Sequence, residues 1–399
     1  MKFLQADIIF PVSSEPIANS VLVMDENNVV VDIVSADKIG LRDDVIYYKG
    51  ALCPGFVNTH CHSELSWAKG LIPSKTGLDS FIKNLENAKR EVNDSTKIEK
   101  ISSELDLAYK SGTVAMIDIC NTDISISPKL KSNILFYNLI ELYGSESEQA
   151  DKVFGEGLSL KNKFQSNQLI SEITDHAPYS VSSELMQKIS NNNKSLQSIH
   201  LLENDDENEL FIKGTGTIVE RRKYFNPNYA GCDVTGKRSL QSVYGNMSRE
   251  VNTLFVHNTV ALEGDIDFAL QNFSDLYWAF CPNSNLYIEN MLPNIPLFVA
   301  KNTKNTIGTD SLASNTELNM LSEIITLMKN FPQLKFNQLL HWATLNGAEL
   351  IKFDKILGSI EVGKAPGIVN IPDFDIEKRV PTSSKCSLVC AANTDLQFN

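Results

Sequence analysis

The chain has 399 residues, of which 42% are hydrophobic and 21% charged, a composition typical of globular proteins and unlike that of disordered or fibrous chains. The formal net charge is −13 and no Lys/Arg-rich run is present, so we expect neither nucleic acid nor an anionic membrane as a partner. Seven unpatterned cysteines, no signal-peptide apolar region and no long apolar window predict a reduced, soluble, cytoplasmic protein.

The order of the predicted elements indicates an α/β protein. Residues 8–10, 20–24 and 29–31 are β-prone, and a turn cluster at 25–28 separates the last two. From Pro54 onward, short apolar runs alternate with helix-period segments, which is typical of βα units around a parallel sheet. Eight such runs are present, the number that a closed (β/α)8 barrel requires. They are residues 55–59, 113–120, 134–140, 169–174, 196–199, 253–256, 276–280 and 306–308.

The expected fold is therefore a TIM-like (β/α)8 barrel, with an open, doubly wound sheet as the alternative. A helical segment is predicted over residues 342–351. Short strands are predicted after it, beginning with residues 357–364. The β-rich pieces at the two chain ends can pair into one small composite domain. The expected boundaries are 1–53 and 353–399 for the two parts of this domain and 54–352 for the barrel.

The placement of the six histidines carries most of the functional information. Barrel active sites lie where the carboxyl ends of the strands meet, so residues that follow strand ends are expected to converge. Three imidazoles and one carboxylate suit a single divalent ion, with zinc favoured and ferrous iron the alternative. The residues that follow strand candidates are His60 and His62 (first), His176 (fourth), His200 (fifth), His257 (sixth) and Asp310 (eighth).

Each of these residues has a simpler explanation when it is taken alone. His60 and His62 could be a chance pair, although residues i and i+2 of a strand point to the same side, as two ligands must. A single His200 is more often a hydrogen-bonded core residue, and Asp310 could cap the next helix. One site requires fewer coincidences than these separate explanations. We therefore expect the His60/His62 pair, His200 and Asp310 to hold the metal ion.

Seven sequence blocks, in order over nearly the whole chain, resemble the amidohydrolase superfamily. The resemblance implies the barrel and makes the composite domain a β-sandwich. Residues 363–369 and the tail from Ser383 depart from the usual pattern of that small domain. The blocks begin at Pro54 (PGFVNTHCH), His176 (HAPYS), His200 (HLLE), Val256 (VHN), Cys281 (CPNSN), Gly308 (GTDS) and Ala343 (ATLNGA).

Within this superfamily, His200-x-x-Glu203 resembles the aminohydrolase branch, which includes cytosine, guanine, adenosylhomocysteine and aminofutalosine deaminases and chlorohydrolase-like enzymes. Residues 60–66 (HCHSELS) are most similar to the aminofutalosine deaminase type. Residues 169–174 lack the terminal lysine expected in a binuclear relative, which favours one metal ion over two. By analogy, the partners are a small aminated heterocycle and a second copy in a homodimer.

The predicted reaction is hydrolytic deamination. A metal ion lowers the pKa of its bound water, so hydroxide can attack a ring carbon that bears an amine. Asp310 is the candidate base, and His257 is expected to polarise the water or to assist as an outer ligand. Glu203 is the candidate proton shuttle to the ring nitrogen and to the departing ammonia. The candidate substrate contacts, each with a packing role as its alternative, are His176, Glu64, Trp67, Glu141 and Asn283.

Other functions remain open at this point. The same scaffold can hydrolyse a cyclic amide or a carbon–halogen bond, and only deamination releases ammonia. A non-catalytic scaffold is the alternative from a different class, since a fold alone does not establish activity. A scaffold has no need of a complete ligand set, however. A structural zinc site usually fills all four positions and gains nothing from Glu203 and His257 nearby.

Overall fold

The computed structural model describes residues 1–39, 42–225 and 234–397. Its strands are numbered here along the chain. They are β1 Lys2–Ile9, β2 Ile17–Met24, β3 Val30–Ser35, β4 Val45–Pro54, β5 Phe56–Cys61, β6 Thr113–Cys120, β7 Leu135–Leu142, β8 Ile170–Asp175, β9 Leu196–Leu201, β10 Asn252–His257, β11 Leu276–Phe280, β12 Lys304–Ile307, β13 Pro366–Ile371, β14 Phe374–Asp375, β15 Val380–Pro381 and β16 Ser387–Ala392.

The α-helices are numbered in the same way, and short 3-10 helices cover Ser63–Ala68, Ser147–Gln149, Tyr244–Asn246 and Thr394–Gln397. None of the helices within the described ranges combines the length and apolarity needed to cross a membrane. The α-helices are α1 Ala36–Ile39, α2 Leu78–Lys89, α3 Asp94–Lys110, α4 Ile126–Leu130, α5 Ala150–Ser166, α6 Ser183–Asn192, α7 Asp205–Lys213, α8 Thr217–Phe225, α9 Ser239–Val243, α10 Glu263–Asn272, α11 Pro282–Ile288, α12 Ile295–Ala300, α13 Met320–Asn330, α14 Phe336–Ala343 and α15 Leu345–Leu350.

Two four-stranded parallel sheets form the centre of the molecule. One has the order β5-β6-β7-β8, and the other has the order β9-β10-β11-β12. Almost every residue of these strands is buried, because helices cover parallel sheets and leave no solvent-facing side. The prediction of eight parallel strands is confirmed, and each apolar run lies within two residues of the observed strand bounds.

Hydrogen bonds connect the two sheets at both of their outer edges. Between β8 and β9, the Thr174 hydroxyl donates to the Ser198 carbonyl oxygen at 2.5 Å, and the His200 amide donates to the His176 carbonyl oxygen at 2.9 Å. Between β12 and β5, the Thr59 hydroxyl donates to the carbonyl oxygen of Ile307 at 3.0 Å. The carboxyl ends of the first and last strands of the series are therefore neighbours, as are those of β8 and β9.

The two ends of the chain meet in a six-stranded sheet with the order β16-β13-β4-β1-β2-β3. Strand β13 pairs antiparallel with β4, with Ile368 opposite Pro54, so that the C-terminal strands extend the N-terminal sheet. Side chains from both ends share one apolar cluster on this sheet, including Leu22, Leu52 and Ile368. The two chain ends therefore pair within one sheet, while their assignment to a separate small domain stays a prediction.

Two local predictions were wrong. Residues 357–364 contain no strand, because Gly358 and Gly363 have φ angles of 86° and 90° and turn the chain there. The helix predicted over residues 342–351 is divided between α14 and α15. Thr344, at the division, has φ −134° and ψ −81°, and its hydroxyl donates to the Leu340 carbonyl oxygen at 2.7 Å.

Candidate active site

Three histidine rings converge between the two parallel sheets. His60 lies in β5, His62 follows that strand directly, and His200 lies in β9. His62 Nε2 is 3.2 Å from His60 Nε2 and 3.3 Å from His200 Nε2. The three ring nitrogens therefore point at one common position, and they form a group that can hold a metal ion.

The spacing of these nitrogens fits a tetrahedral ion. Two nitrogens that each lie about 2.0–2.1 Å from a tetrahedral zinc ion are about 3.3–3.4 Å apart. Burial lowers the pKa of each of the three imidazoles, and that of His60 well below its usual range. Neutral rings with their lone pairs directed at one point are the form in which histidine binds a metal.

Asp310 adds an oxygen to this group. Its Oδ1 lies 3.7 Å from His60 Nε2 and 3.6 Å from His62 Nε2. Its Oδ2 accepts hydrogen bonds from the hydroxyls of Ser284 at 2.6 Å and Ser314 at 3.0 Å. The two serines therefore hold one carboxylate oxygen away from the histidines and direct the other toward them.

The backbone around Asp310 is bent toward β5. Asp310 has a φ of 56°, in the left-handed region, and the amides of Thr309 and Asp310 both donate to the carbonyl oxygen of His60 at 3.0 Å. This turn holds the end of the eighth strand against the end of the first. The hydrogen bonds that form it cannot be read from sequence spacing alone. A left-handed non-glycine residue often marks a functional position.

Gly308 makes this close approach feasible. A β-carbon at Gly308 would lie 2.8 Å from both the Cβ and the carbonyl oxygen of His60. We therefore expect Gly308→Ala to displace one of the two segments and to cost about 1–3 kcal/mol of unfolding free energy. The matched control is Gly264→Ala in α10, where the added methyl group meets nothing within 4 Å. Urea unfolding of both variants checks this. A Gly308→Ala variant as stable as the Gly264→Ala variant would contradict the close contact between Gly308 and His60.

Two further titratable groups lie beside the histidine cluster. His257 ends β10, and its ring stacks on that of His200 with the centroids 5.3 Å apart. Its Nε2 is 3.8 Å from Glu203 Oε1. Glu203 is only 5% exposed, and burial raises the pKa of its carboxyl group to about 7. A carboxyl group with this pKa can both bind and release a proton near neutral pH.

His176 and Glu141 lie beside the Nδ1 atom of His200, on the side of the ring that faces away from the other two histidines. The Nδ1–H of His200 donates to the carbonyl oxygen of His176 at 2.8 Å, which leaves Nε2 as the lone-pair nitrogen facing the cluster. Glu141 Oε1 lies 3.5 Å from His200 Nδ1 and finds no hydrogen-bond partner among the described residues. His176 Nδ1 is 2.6 Å from the Ser180 hydroxyl. Both side chains therefore border the cluster.

The other three predicted contacts are engaged elsewhere. The Glu64 carboxylate accepts hydrogen bonds from the amides of Asn121 and Thr122, at 3.1 and 3.2 Å through Oε2. Trp67 is 6% exposed and belongs to the large apolar core. The Asn283 side-chain amide donates to Glu323 Oε1 at 2.9 Å. Their assignment as substrate contacts stays a prediction.

Sequence reasoning missed the two serines that hold Asp310. Ser284 lies within the CPNSN block that begins at Cys281, but the resemblance of this block predicted no role for the Ser284 hydroxyl. Ser314 lies four residues after Asp310, in a segment without a strand or helix signal. Only the folded chain brings both hydroxyls to the same carboxylate oxygen.

The Amidohydrolase family profile matches residues 51–387. The 5-methylthioadenosine/S-adenosylhomocysteine deaminase of Bacillus cereus (strain 03BB102) is 27% identical over 384 residues, covering 90% of this chain and 82% of its own. Aminofutalosine deaminase of Helicobacter pylori, in complex with methylthio-coformycin, has a similar fold, with a TM-score of 0.78 and 22% identity over 92% of this chain and 91% of that one.

Atrazine chlorohydrolase TrzN from Arthrobacter aurescens TC1, complexed with zinc, has a TM-score of 0.77 at 14% identity, over 99% of this chain and 94% of that one. These neighbours imply a TIM-like arrangement of the parallel strands. The profile covers most of the chain and includes every predicted ligand. The chain therefore belongs to the amidohydrolase family, and this membership together with its deaminase relatives supports a hydrolase acting on carbon–nitrogen bonds other than peptide bonds.

Proposed function

We propose that the protein is a metal-dependent hydrolytic deaminase that releases ammonia from an aminated heterocycle. The observation that carries this proposal is the position of Glu203, a buried carboxyl group with a pKa of about 7 beside the histidine cluster. Deamination requires a proton at a ring nitrogen and another at the leaving amine, whereas an amide carbonyl can be polarised by the metal directly. A group that exchanges protons near neutral pH suits the first reaction.

One divalent ion, with zinc preferred over iron, would be held by His60, His62, His200 and Asp310. Three nitrogens and one oxygen match the ligand preferences of zinc, and water would bind in addition to these four ligands. When bound, the ion lowers the pKa of water and so provides hydroxide near neutral pH.

The protein side chains divide the proton transfers between them. Asp310 takes the proton of the attacking water, since its Oδ1 faces the histidines while Oδ2 is held by two hydroxyls. Glu203 gives a proton to the ring nitrogen of the substrate and then assists the departing ammonia. His257, whose Nε2 lies 3.8 Å from Glu203 Oε1, would polarise the water or assist as an outer ligand.

The substrate class follows from the relatives and from the border of the cluster. Relatives are named for 5-methylthioadenosine, S-adenosylhomocysteine and aminofutalosine, so adenosine-type nucleosides are the first candidates. Glu141 Oε1 is a buried acceptor without a described partner, and it can take a hydrogen bond from a substrate hydroxyl or amine. His176 lies beside it. The Glu64, Trp67 and Asn283 side chains would need other rotamers to reach a substrate.

We also propose that the eight parallel strands close into one barrel. The hydrogen bonds between β8 and β9 and between β12 and β5 support this, because they join the two sheets at both edges. Residues 54–352 would form the barrel, and residues 1–53 and 353–399 would form the smaller β-domain.

Ammonia release tests the proposed reaction. Zinc-loaded protein is incubated with a panel of aminated purines, pyrimidines, their nucleosides and aminofutalosine, and ammonia is measured with a coupled enzyme assay. We expect release from an adenosine-type member, and no release after treatment with a chelator. Chloride release from a chlorinated heterocycle, or opening of a cyclic amide without ammonia, would instead favour the alternative hydrolases on this scaffold. Metal-free protein of normal stability and no activity would favour a scaffold.

Metal removal should also lower stability. A ligand that binds only the folded state at about 1,000 times its Kd stabilises that state by about 4 kcal/mol. For a chain of this length we expect chelation to lower the Tm by about 5 °C, and added zinc to restore it. Differential scanning calorimetry of chelated and zinc-reconstituted protein checks this. Identical melting curves would argue against a bound ion in the folded state.

A further inference from the structure

A buried ion pair lies next to the segment that carries His60 and His62. The side chains of Lys129 in α4 and Asp118 in β6 are both fully buried, with Lys129 Nζ 2.5 Å from Asp118 Oδ2. Lys129 Nζ also donates to Asn138 Oδ1 at 2.7 Å and to Cys120 Sγ at 3.0 Å. Its three N–H groups therefore each have a partner.

Stability alone does not explain this pair. Transferring two charges from water into a protein core costs several kcal/mol per ion, and apolar residues of similar volume often serve as well or better. A buried pair is better understood from the geometry that it imposes on its neighbours. Here the neighbour is the segment that carries the histidines.

Asp118 holds the residue that follows His62. The backbone amide of Ser63 donates to Asp118 Oδ1 at 2.8 Å, and the Ser63 hydroxyl donates to Oδ2 at 2.5 Å. Strands β5 and β6 change register between Asn58 and Cys61, and Cys61 then lies opposite Asp118. His60 therefore lies where regular strand pairing is interrupted, and His62 follows the last paired residue of the strand. Regular hydrogen bonding between β5 and β6 therefore does not by itself fix the direction in which the chain leaves β5.

A second carboxylate also connects the segment after β5 with the segment after β6. Glu64, next to Ser63, accepts hydrogen bonds from the amides of Asn121 and Thr122 and, at 3.3 Å, from the Ser125 hydroxyl. Asp118 thus binds the segment after β5, and Glu64 binds the segment after β6. The two segments are locked to each other by reciprocal carboxylates, and one of these is anchored by Lys129.

We infer that Asp118 is a positioning residue for the metal site, which sets the place of His62 through Ser63, and that Lys129 fixes and neutralises Asp118. This inference rests on the proposed metal site. It also explains why Glu64, predicted as a substrate contact, is turned toward the loop. Outer partners that orient metal ligands typically contribute 10- to 100-fold in metal affinity, which is about the effect expected here.

Two double variants separate positioning from simple packing. In Asp118→Asn/Lys129→Met, the asparagine can still accept from the Ser63 amide and donate to its hydroxyl, while both charges are removed. In Asp118→Leu/Lys129→Met, the bonds to Ser63 are lost as well. We expect near-normal zinc affinity for the first variant and a Kd about 10- to 100-fold higher for the second, with an altered visible spectrum of the cobalt-substituted protein.

Ser63→Ala provides a milder test if a double variant fails to fold. It removes only the hydroxyl bond to Asp118, and we expect its zinc Kd to rise by about tenfold, the lower end of the range for an outer partner. Its matched control is Ser66→Ala in the same 3-10 helix, because the buried Ser66 hydroxyl has no partner among the described residues. The control should bind zinc like the unchanged protein.

The measurements are competition titrations with a zinc-selective chelator, together with cobalt absorption spectra and melting curves. Normal zinc affinity in Asp118→Leu/Lys129→Met and in Ser63→Ala would overturn the positioning role. An equal loss of affinity in both double variants would overturn it too, because the bonds to Ser63 would then not matter. If the unchanged protein binds neither zinc nor cobalt, the proposed metal site itself fails, and this outcome is distinct from the other two.

Discussion

Glu203→Gln should retain its metal ion and lose most of its turnover. Positioned proton transfer contributes about 100- to 10,000-fold to the rate of reactions of this kind, so we expect kcat to fall within that range. The amide has nearly the shape of the carboxyl group, but it cannot deliver a proton. Because Glu203 lies at the border of the histidine cluster and is absent from the ligand set, zinc content should be unchanged.

The matched control for this experiment is Glu207→Gln. Glu207 is also fully buried and also has a pKa raised to about 7 by burial, but its Oε1 accepts a hydrogen bond from the Leu202 amide at 3.0 Å. A glutamine can make the same bond, so turnover should stay close to normal. Steady-state kinetics and metal analysis of both variants provide the comparison. Full activity of Glu203→Gln would remove the proton shuttle from the mechanism.

The convergence of the candidate metal ligands could be predicted because the geometry of strands and of parallel sheets follows simple rules. Residues i and i+2 of a strand point to the same side, and the ends of parallel strands meet at one edge. His60 and His62 illustrate the first rule, and His200 and Asp310 illustrate the second. The convergence of these residues therefore needed no knowledge of side-chain packing.

The same rules locate a Cα atom without giving the direction of its side chain. Glu64 follows a strand end, as a substrate contact would, but its carboxylate is hydrogen-bonded to the loop at Asn121 and Thr122. Trp67 follows it by one helical turn and packs into the core. A side chain near an active site takes the rotamer that its nearest donors and apolar neighbours favour, and those neighbours come from distant parts of the sequence.

The buried pair of Asp118 and Lys129 could not be predicted. Asp118 is a single acidic residue in an apolar strand, and Lys129 is one of many lysines in the chain. Each departs from the rule that charged residues are exposed only because the other is present. The pairing depends on the packing of α4 against β6, and no spacing in the sequence records it.

Asp310→Asn should reduce both metal affinity and turnover. The carboxylate supplies one ligand oxygen and the proposed base, so the variant loses charge at the ion and basicity at the water. Removing an outer partner of a ligand typically costs 10- to 100-fold in metal affinity, and we expect loss of the ligand charge to cost about 100-fold or more. Measurement of kcat with saturating zinc then isolates the second effect, for which a further drop of about 100-fold is expected.

Asp175→Asn is the matched control for Asp310→Asn. Asp175 ends β8, is 2% exposed, and has a pKa raised well above its usual range by burial. Because Asp175 is not one of the proposed metal ligands, its replacement by an amide of the same shape should change zinc affinity little. Ser284 and Ser314 sharpen the comparison at Asp310, because their hydroxyls can rotate to accept from the new amide and so preserve the fold. Normal zinc content together with normal kinetics in Asp310→Asn would remove this residue from both of its proposed roles.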